Sequence, residues 1–262
     1  MDPNLTTIIP CRNEEKNIRY CIESVRGISD ELIIADSGST DGTLAIAREY
    51  PCRIIQREYI NSANFKNWAI PQASHPWVLI VDADERVTPP LAREIRNLLQ
   101  EEPDCDGYRI YRNNYFLGKL IRHCGWNKDR VLRLFRRDLS RYKDMRVHSE
   151  VIVESGKVGV LEGKLDHYTY WSISQIMEKY DRYSTWSAQD LRDRGKRASL
   201  LHLILAPSFR FIKHYLIQGG FLDGTRGFLV SSVSAYYVFL KYAKLWTFLH
   251  PARQPAERDS EH

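Results

Sequence analysis

Short apolar runs alternate with helix-like stretches along the first half of the chain. The runs lie at residues 5–10, 32–35, 53–56 and 78–81. Between the first two, apolar residues recur at the i, i+3, i+4 and i+7 spacing of a helix face, at Ile18, Cys21, Ile22 and Val25. Strands that are separated by helices usually pair in parallel through right-handed crossovers. The pattern therefore predicts an α/β fold built on a mostly parallel sheet.

Two aspartates follow the last of these runs directly. Residues 78–81 are all apolar, which is typical of a strand buried on both faces of a parallel sheet. Asp82 and Asp84 come next, at the carboxyl edge where open α/β sheets bind their ligands. In extended backbone the side chains of residues i and i+2 point the same way, so the two carboxylates are expected to share one divalent cation with substrate phosphates. The alternative is a solvated strand end that is rich in aspartate.

The first two predicted strands also end in polar residues. Residues 12–15 (RNEE) follow the first strand, and the second ends at Asp36, before a small polar loop that reaches Asp41. Asn13 is expected to cap the helix that follows, because asparagine side chains satisfy the free N–H groups of a first turn. The carboxyl ends of parallel strands meet at one edge of a sheet, so the polar residues that follow these strands predict a nucleotide site there.

Four motifs in this order resemble the nucleotide-binding half of family 2 glycosyltransferases with the GT-A fold. They are TTIIPCRNEEKNI, IIADSGSTDGT, NFKNWAI and VLIVDADERV. The resemblance covers residues 5–153 and implies a Rossmann-like sheet that binds a nucleotide-diphospho-sugar. The later stretches RVLRLFRR, MRVHSEV and GFLDGTRGF resemble a bacterial subgroup that adds sugars to the lipopolysaccharide core, including glucosyltransferases that act on inner-core heptose.

The resemblance implies a role for each matching residue. The positions that match the uridine pocket are Pro10, Arg12, Glu14, Asp36, Ser37 and Asp41. Among these, the family carboxylate that accepts a hydrogen bond from the uracil ring corresponds to Asp36. Lys66 and Asn67 match a pair near the ribose and diphosphate, and Asp82 and Asp84 match the aspartates that hold the ribose and the metal.

The expected cofactor is Mg²⁺ or Mn²⁺. A divalent cation acts as a Lewis acid on the leaving diphosphate without any proton transfer. Enzymes of this fold often supply a late histidine or aspartate to the metal, and the resemblance therefore makes His167 a candidate ligand. The alternative is a histidine that packs against the aromatic residues that follow it.

An inverting sugar transfer also needs a base to accept the proton of the acceptor hydroxyl. Related bacterial transferases have an adjacent His-Glu pair at this point, whereas here a serine separates His148 from Glu150. We expect Glu150 to act as the base and His148 to orient the acceptor, with the exchanged roles as an alternative. Another alternative is that Glu150 only pairs with Arg146 or Arg133, and Asp144 is the next candidate base.

The last third of the chain changes character. Residues 200–217 and 228–249 are rich in aliphatic and aromatic side chains, but Pro207, Arg210 and Lys213 interrupt the first of these stretches. Neither reaches the ~20 uncharged apolar residues that a membrane-spanning helix needs. These helices are therefore expected to lie on the inner-membrane surface. The alternative is a helical hairpin that packs on the catalytic domain or on a second subunit in a homo-oligomer.

The chain is thus expected to have three parts. Residues 1–170 form the catalytic domain, residues 171–250 form a helical extension, and residues 251–262 form a polar, disordered tail. Five cysteines without a CxxC motif indicate reduced thiols and argue against a zinc site. The start of the sequence is neither basic nor apolar, so we expect a cytoplasmic protein that is peripheral at the membrane.

Charge and motif content narrow the function further. The net charge of +5 suits an anionic surface or acceptor, but no nucleic-acid recognition module is present, so nucleic acid is not an expected partner. A nucleotidyltransferase is one alternative, although the chain lacks a glycine-rich phosphate loop at its start. A non-catalytic glycan-binding homologue is another, although the acidic residues are intact. The expected activity is transfer of a sugar from a UDP-sugar to a glycan or lipid-linked glycan of the bacterial envelope.

Overall fold

The computed structural model describes residues 4–143 and 150–251. The chain divides into two compact units, Met1–Trp171 and Ser172–His262. The first unit carries all the strands of the described chain, and the second is helical. The predicted tail lies mostly outside the described residues, because only position 251 of it is described.

The first unit alternates strands and helices as far as the fourth helix and is then dominated by strands. Its helices are α1 (Ile18–Val25), α2 (Thr43–Ala47), α3 (Ser62–Ala69) and α4 (Pro89–Gln100). The strands before α4 are β1 (Leu5–Cys11), β2 (Glu31–Asp36), β3 (Arg53–Gln56), β4 (Trp77–Ile80) and β5 (Glu85–Val87). Those after it are β6 (Gly107–Phe116), β7 (Lys119–Leu120), β8 (Arg130–Arg136), β9 (Ser140–Tyr142), β10 (Val151–Val153) and β11 (Val158–Tyr170).

The main sheet has the order β3-β2-β1-β4-β8-β6-β11-β5, and β9 and β10 form a separate antiparallel pair. Strands β3, β2, β1 and β4 are mutually parallel, as the alternation of strands and helices predicts. Buried residues alternate between the two faces of these strands. Ile9 and Leu79 belong to one apolar core and Ile8 and Ile80 to the other, so helices cover both sides of the sheet.

Strand pairing at the far end of the sheet positions three residues of the candidate site. Strand β11 runs parallel to β6 and antiparallel to β5. In this register His167 lies opposite Asn114 on one side and Glu85 on the other. The sequence separation of these three residues is large, and the pairing alone brings them together.

Two local predictions are wrong. Asn13 does not cap α1, which begins at Ile18. Asn13 has a φ of 55°, and its side-chain oxygen accepts the backbone N–H of Thr40. It therefore ties the end of β1 to the loop after β2. Residues 82–84 are not extended either, because the backbone N–H of Glu85 donates to the carbonyl of Asp82 at 2.7 Å and closes a turn.

The second unit contains α5 (Ile173–Asp193), α6 (Leu200–Ile212) and α7 (Gly224–Leu249). A capping box at Ser172 begins α5. The apolar stretch 200–217 is helical throughout, but the α-helix ends at Ile212 and continues as a π-helical turn. Within the described chain, no helix combines the length and apolarity that crossing a bilayer requires.

Candidate functional site

The loop after β2 is organised around Asp36. This carboxylate is fully buried and accepts hydrogen bonds from the backbone of Gly38 and Ser39, from the Ser39 hydroxyl at 2.5 Å and from Gln56 at 3.0 Å. Burial alone disfavours its charged form, but these donors outweigh burial and lower the pKa of Asp36. Asp36 is therefore an ionised group that fixes the shape of the loop.

The other predicted uridine residues lie around the same loop. Asp41 accepts from Thr43 and from the backbone of Glu15, and these bonds lower its pKa against the opposing effect of partial burial. The backbone N–H of Glu14 donates to the Thr43 hydroxyl at 2.8 Å. The Ser37 hydroxyl donates to the carbonyl of Cys11. The ends of β1 and β2 thus form one connected edge, with Arg12 exposed on it and Pro10 half-buried.

Asp82 is paired with two cations. Its Oδ1 lies 2.7 Å from Nζ of Lys66, and its Oδ2 contacts Arg133. Burial opposes charge on Asp82, but the positive charges of Arg133 and Lys66 outweigh it and hold the pKa of Asp82 well below its usual range. Burial is the largest influence on Lys66 and by itself lowers its pKa, but the charge and hydrogen bond of Asp82, together with Tyr142, outweigh it and raise the pKa of Lys66. The structure therefore places Asp82 among cations, with its charge already neutralised.

Glu85 completes this cluster beneath the turn. It is fully buried, and its Oε1 lies 2.7 Å from Arg133 and 3.2 Å from Arg112. Its other oxygen accepts the backbone N–H of Asp82 at 3.1 Å. One buried guanidinium group, one half-buried guanidinium group and one backbone amide thus converge on a single carboxylate, which fixes the turn that carries Asp82 and Asp84.

Lys66 and its neighbour Asn67 project from α3 toward β9. Nζ of Lys66 lies 5.3 Å from the centre of the Tyr142 ring. The Asn67 amide donates to the Tyr142 carbonyl and accepts its N–H, both at 2.8 Å. The structure thus gives Asn67 a role in holding β9 against α3, which positions Lys66 beside Asp82.

Asp84 lies on the other side of the turn, next to His167. Its Oδ2 is 3.5 Å from Nε2 of His167. The Nδ1 atom of His167 is 2.7 Å from Oδ1 of Asn114, and the Asn114 amide nitrogen donates to Asp129 at 2.9 Å and to the carbonyl of Trp126 at 3.3 Å. Because these two acceptors fix the orientation of the amide, we assign the histidine proton to Nδ1.

This tautomer directs the Nε2 lone pair of His167 toward the carboxylate of Asp84. Two electron-rich atoms at this distance are stable when a proton or a metal ion lies between them. Asp129 is held in turn by Arg112 through Nε at 2.9 Å and Nη2 at 2.7 Å. The two aspartates of the turn are therefore joined by a continuous series of side chains: Asp82, Arg133, Glu85, Arg112, Asp129, Asn114, His167 and Asp84.

The residues present fit a divalent cation with two protein ligands. Over residues 4–143 and 150–251, no three His, Cys, Asp or Glu side chains form a metal cage. Mg²⁺ sites beside nucleotides commonly use one or two carboxylates, with the remaining positions filled by phosphate oxygens and water. Asp84 and His167 offer one oxygen and one nitrogen as ligands, and the hydrogen bond between Nδ1 of His167 and Asn114 fixes the histidine ring. Asp82, in contrast, is engaged by Lys66 and Arg133.

Glu150 is exposed and precedes β10, with its backbone carbonyl accepting the N–H of Lys143 at 2.8 Å. The other candidate bases, His148 and Asp144, lie outside the described residues, as does Arg146. Arg133, one of the alternative partners for Glu150, binds Asp82 and Glu85. The assignment of the base stays a prediction.

Sequence reasoning missed the residues that support the turn, which are Glu85, Arg112, Asn114, Asp129 and Arg133. A signal was present for one of them. Arg133 interrupts the apolar pattern of β8 and is almost fully buried, and a buried arginine requires a paired carboxylate. The positions of Asn114 and Asp129 depend on the pairing of β6 with β11 and β8, which local sequence does not encode.

Residues 6–152 match the family model described as glycosyl transferase family 2. The lipopolysaccharide core biosynthesis glycosyltransferase LpsC of Rhizobium meliloti is 33% identical over 248 residues, covering 92% of each chain. An uncharacterized glycosyltransferase of Rickettsia typhi is 30% identical over 256 residues, covering 92% of this chain and 86% of that one.

Two solved structures are similar in fold. A mannosyltransferase from Pyrobaculum calidifontis, in complex with GDP-Man and Mn²⁺, has a TM-score of 0.54 and 16% identity, covering 93% of this chain and 88% of that one. Glucosyl-3-phosphoglycerate synthase from Mycobacterium tuberculosis, in complex with Mn²⁺, UDP-glucose and phosphoglyceric acid, has a TM-score of 0.52 and 17% identity, covering 74% and 81%.

Proposed function

Because the chain belongs to glycosyl transferase family 2, we propose that it transfers a sugar from a UDP-sugar to a lipid-linked glycan of the bacterial envelope, with inversion at the anomeric carbon. The GT-A-like α/β fold predicted from the motifs is confirmed, and so is glycosyltransferase activity as the class of function. The finer assignment of nucleotide, sugar and acceptor is our proposal. Similarity to a lipopolysaccharide core enzyme over nearly the whole chain supports this class of acceptor.

The observation that carries the proposal is the placement of Asp84 beside His167 at the edge that Asp36 and Asp41 also line. Parallel strands β1, β2 and β4 direct their carboxyl ends to this edge. Asp84 and His167 would hold Mg²⁺ or Mn²⁺, which supplies Lewis-acid stabilisation of the leaving diphosphate. Lys66 lies beside Asp82 at 2.7 Å and adds positive charge where the diphosphate would leave.

Release of UDP in the presence of acceptor distinguishes the proposal from its alternatives. We expect the protein to release UDP from a UDP-sugar, with UDP-glucose as the first donor to test, when lipopolysaccharide core acceptor is added. A nucleotidyltransferase would instead release pyrophosphate from a nucleoside triphosphate. Binding without any UDP release would identify a non-catalytic glycan-binding protein and would contradict the proposal.

Asp36 tests the choice of nucleotide. We expect Asp36→Ala to weaken UDP binding by about 1–3 kcal/mol, the usual effect of losing a hydrogen bond that involves a charged group. The binding of GDP should change less, because the proposed contact is with the uracil ring. Isothermal titration calorimetry with UDP and GDP measures both effects.

Ser39→Ala is the matched control, because Ser39 donates to Asp36 and would not contact the base in this proposal. It should leave the preference for UDP over GDP unchanged. If both variants weaken the two nucleotides equally, Asp36 only shapes the loop and does not recognise uracil.

Glu150 tests the proposed base. Glu150→Gln keeps the shape of the side chain but removes the basic oxygen, so sugar transfer should be abolished while UDP-sugar binding stays nearly unchanged. His148→Ala should be less damaging. Steady-state kinetics and donor titration separate the two effects.

The opposite ranking of these variants would exchange the roles of Glu150 and His148. If both variants remain active, the base lies elsewhere, and Asp144→Asn is the next variant to test. Glu154→Gln, four residues further along the chain, serves as the control for a general effect of removing an acidic group.

A further inference from the structure

The helix α6 leaves its apolar side chains in contact with solvent. None of its residues is buried. The exposed fractions of its largest side chains and of those in the following π-helical turn range from 45% to 70%, for Leu200, Leu201, Ile204, Leu205, Phe209, Ile212, Leu216 and Ile217. Contiguous exposed apolar surface of this kind marks an interaction site. We call these eight residues the apolar row.

The charges within the segment that carries the apolar row have one sign, although Asp193 and Asp223 border that segment. From Arg194 to Leu222 the chain contains five basic residues and no aspartate or glutamate. The basic residues are Arg194, Lys196, Arg197, Arg210 and Lys213. The first three are exposed immediately before α6 begins, and Lys213 is exposed just after it ends. An apolar helix face flanked by cations is typical of a helix that lies in the interface of an anionic membrane.

The neighbouring helix α7 adds to this surface. Lys241 is half-buried, and burial together with the nearby charge of Arg210 lowers its pKa. Lys241 therefore adds a cation near Arg210. An apolar groove of about 500 Å³ lies between the two helices, lined by Pro207, Phe211, Ile212 and Ala235 together with two serines.

The length of α6 excludes one mode of membrane contact. Thirteen residues of α-helix extend about 20 Å, whereas the hydrocarbon core of a bilayer is about 30 Å thick. The continuation of the helix to Ile217 does not change this, because no helix in the described residues is long and apolar enough to cross a membrane.

A second copy of the chain fits this surface less well. A two-fold symmetric contact would bring each apolar row, with its flanking cations, against the same row of the other copy. The basic residues would then face each other without an acidic group from the segment 194–222 to neutralise them. Like charges opposed across an interface are destabilising.

We propose that the apolar row and its flanking basic residues dock the protein onto an anionic phospholipid surface, with α6 lying in the plane of the interface. This docking needs neither nucleotide nor acceptor, so its test is independent of sugar transfer. The proposed acceptor is a lipid-linked glycan and therefore lies at a membrane surface. Docking in this way would hold the enzyme at that same surface.

Vesicle sedimentation with the full chain tests the proposal. Vesicles of phosphatidylglycerol and phosphatidylcholine in equal parts should pull down the protein, whereas pure phosphatidylcholine should bind it weakly. The triple variant Leu201→Ser, Leu205→Ser and Phe209→Ser should lower the partition coefficient at least about tenfold, because it removes apolar area that would leave water. Ile60→Ser is the matched control, since Ile60 is 63% exposed but lies in the first unit.

A second variant tests the electrostatic part without changing any apolar residue. Replacing two exposed cations, Lys196→Gln and Arg197→Gln, should weaken binding about 30-fold at low salt, on the scale of about 1 kcal/mol for each basic residue near an anionic surface. The difference should shrink at high salt, where charges are screened. Circular dichroism checks that every variant keeps its helices.

Two results would overturn the proposal. One is a full chain that stays in the supernatant with anionic vesicles, and the other is vesicle binding that neither set of substitutions changes. If light scattering shows a stable dimer that the triple serine variant dissociates, and vesicles do not bind, the apolar row is an interface between two copies of the chain and the membrane assignment is wrong.

Discussion

Replacing Asp84 with asparagine is expected to lower the rate of sugar transfer by on the order of 10²-fold or more. The substitution keeps the size of the side chain but removes the charge that faces Nε2 of His167 at 3.5 Å. Electrostatic stabilisation of the developing diphosphate charge is usually a large part of such a rate enhancement. The same loss should appear in the wild type when EDTA is added, and Mn²⁺ or Mg²⁺ should restore activity.

The affinity for Mn²⁺, measured by electron paramagnetic resonance in the presence of UDP, provides a readout that does not depend on turnover. Asp84→Asn should weaken it. Asn114→Leu should weaken it by about 10–100-fold, because the leucine cannot accept the Nδ1 proton that orients the His167 ring. Asn114 is thus a positioning residue in this proposal.

Asp166→Asn is the control for both variants. Asp166 precedes His167 in β11, and its carboxylate accepts from Asn113. Neighbouring residues of a strand point to opposite faces of the sheet, so this substitution should leave Mn²⁺ affinity unchanged. Full activity of the wild type in excess EDTA would show that no metal takes part.

The second large effect is expected on stability, from Glu85→Gln. Glu85 is fully buried and pairs with Arg133 and Arg112. Removing one partner of a buried ion pair leaves a charge without compensation and usually costs about 3–5 kcal/mol. We expect the free energy of unfolding to fall by about 3 kcal/mol, the lower end of this range. The effect is limited because Asp82 still neutralises part of the charge on Arg133. Such a loss lowers the Tm of a unit of this size by about 6–12 °C.

Urea denaturation followed by tryptophan fluorescence measures this change. The matched control is Glu49→Gln, which breaks an exposed ion pair. In that pair Oε2 of Glu49 lies 2.8 Å from Nη1 of Arg19. Exposed pairs contribute little, because water screens both charges and the long side chains lose entropy on pairing. Equal effects of the two variants would show that the buried pair does not hold the turn.

The sequence placed Asp36 and Asp84 at the ends of two strands, on one edge of the sheet. Asp36 ends β2 and Asp84 follows β4 because apolar runs of strand length stop at those points. The direction of parallel strands then brings the two ends to one side. The mostly parallel pairing of the first four strands was predicted in the same way. The sequence did not predict that the outer part of the sheet is mixed, with β8 antiparallel to both β4 and β6.

The prediction for Asp82 and Asp84 shows where local reasoning stops. Extended geometry would have pointed both carboxylates the same way. The turn that Glu85 closes instead separates them, so that Asp82 meets Lys66 and Arg133 while Asp84 meets His167. The turn forms because a buried carboxylate and two guanidinium groups outside the local segment stabilise it.

The sequence by itself therefore determined the alternation of strands and helices, the edge of the sheet where the acidic residues gather and the apolar, basic character of the second unit. Each of these follows from periodicity and composition within a few neighbouring residues. Only the tertiary structure decided which charges pair, which tautomer His167 adopts and which residues of α6 are exposed. These features depend on the register of strands and helices that are far apart in the chain, and local patterns carry no information about that register.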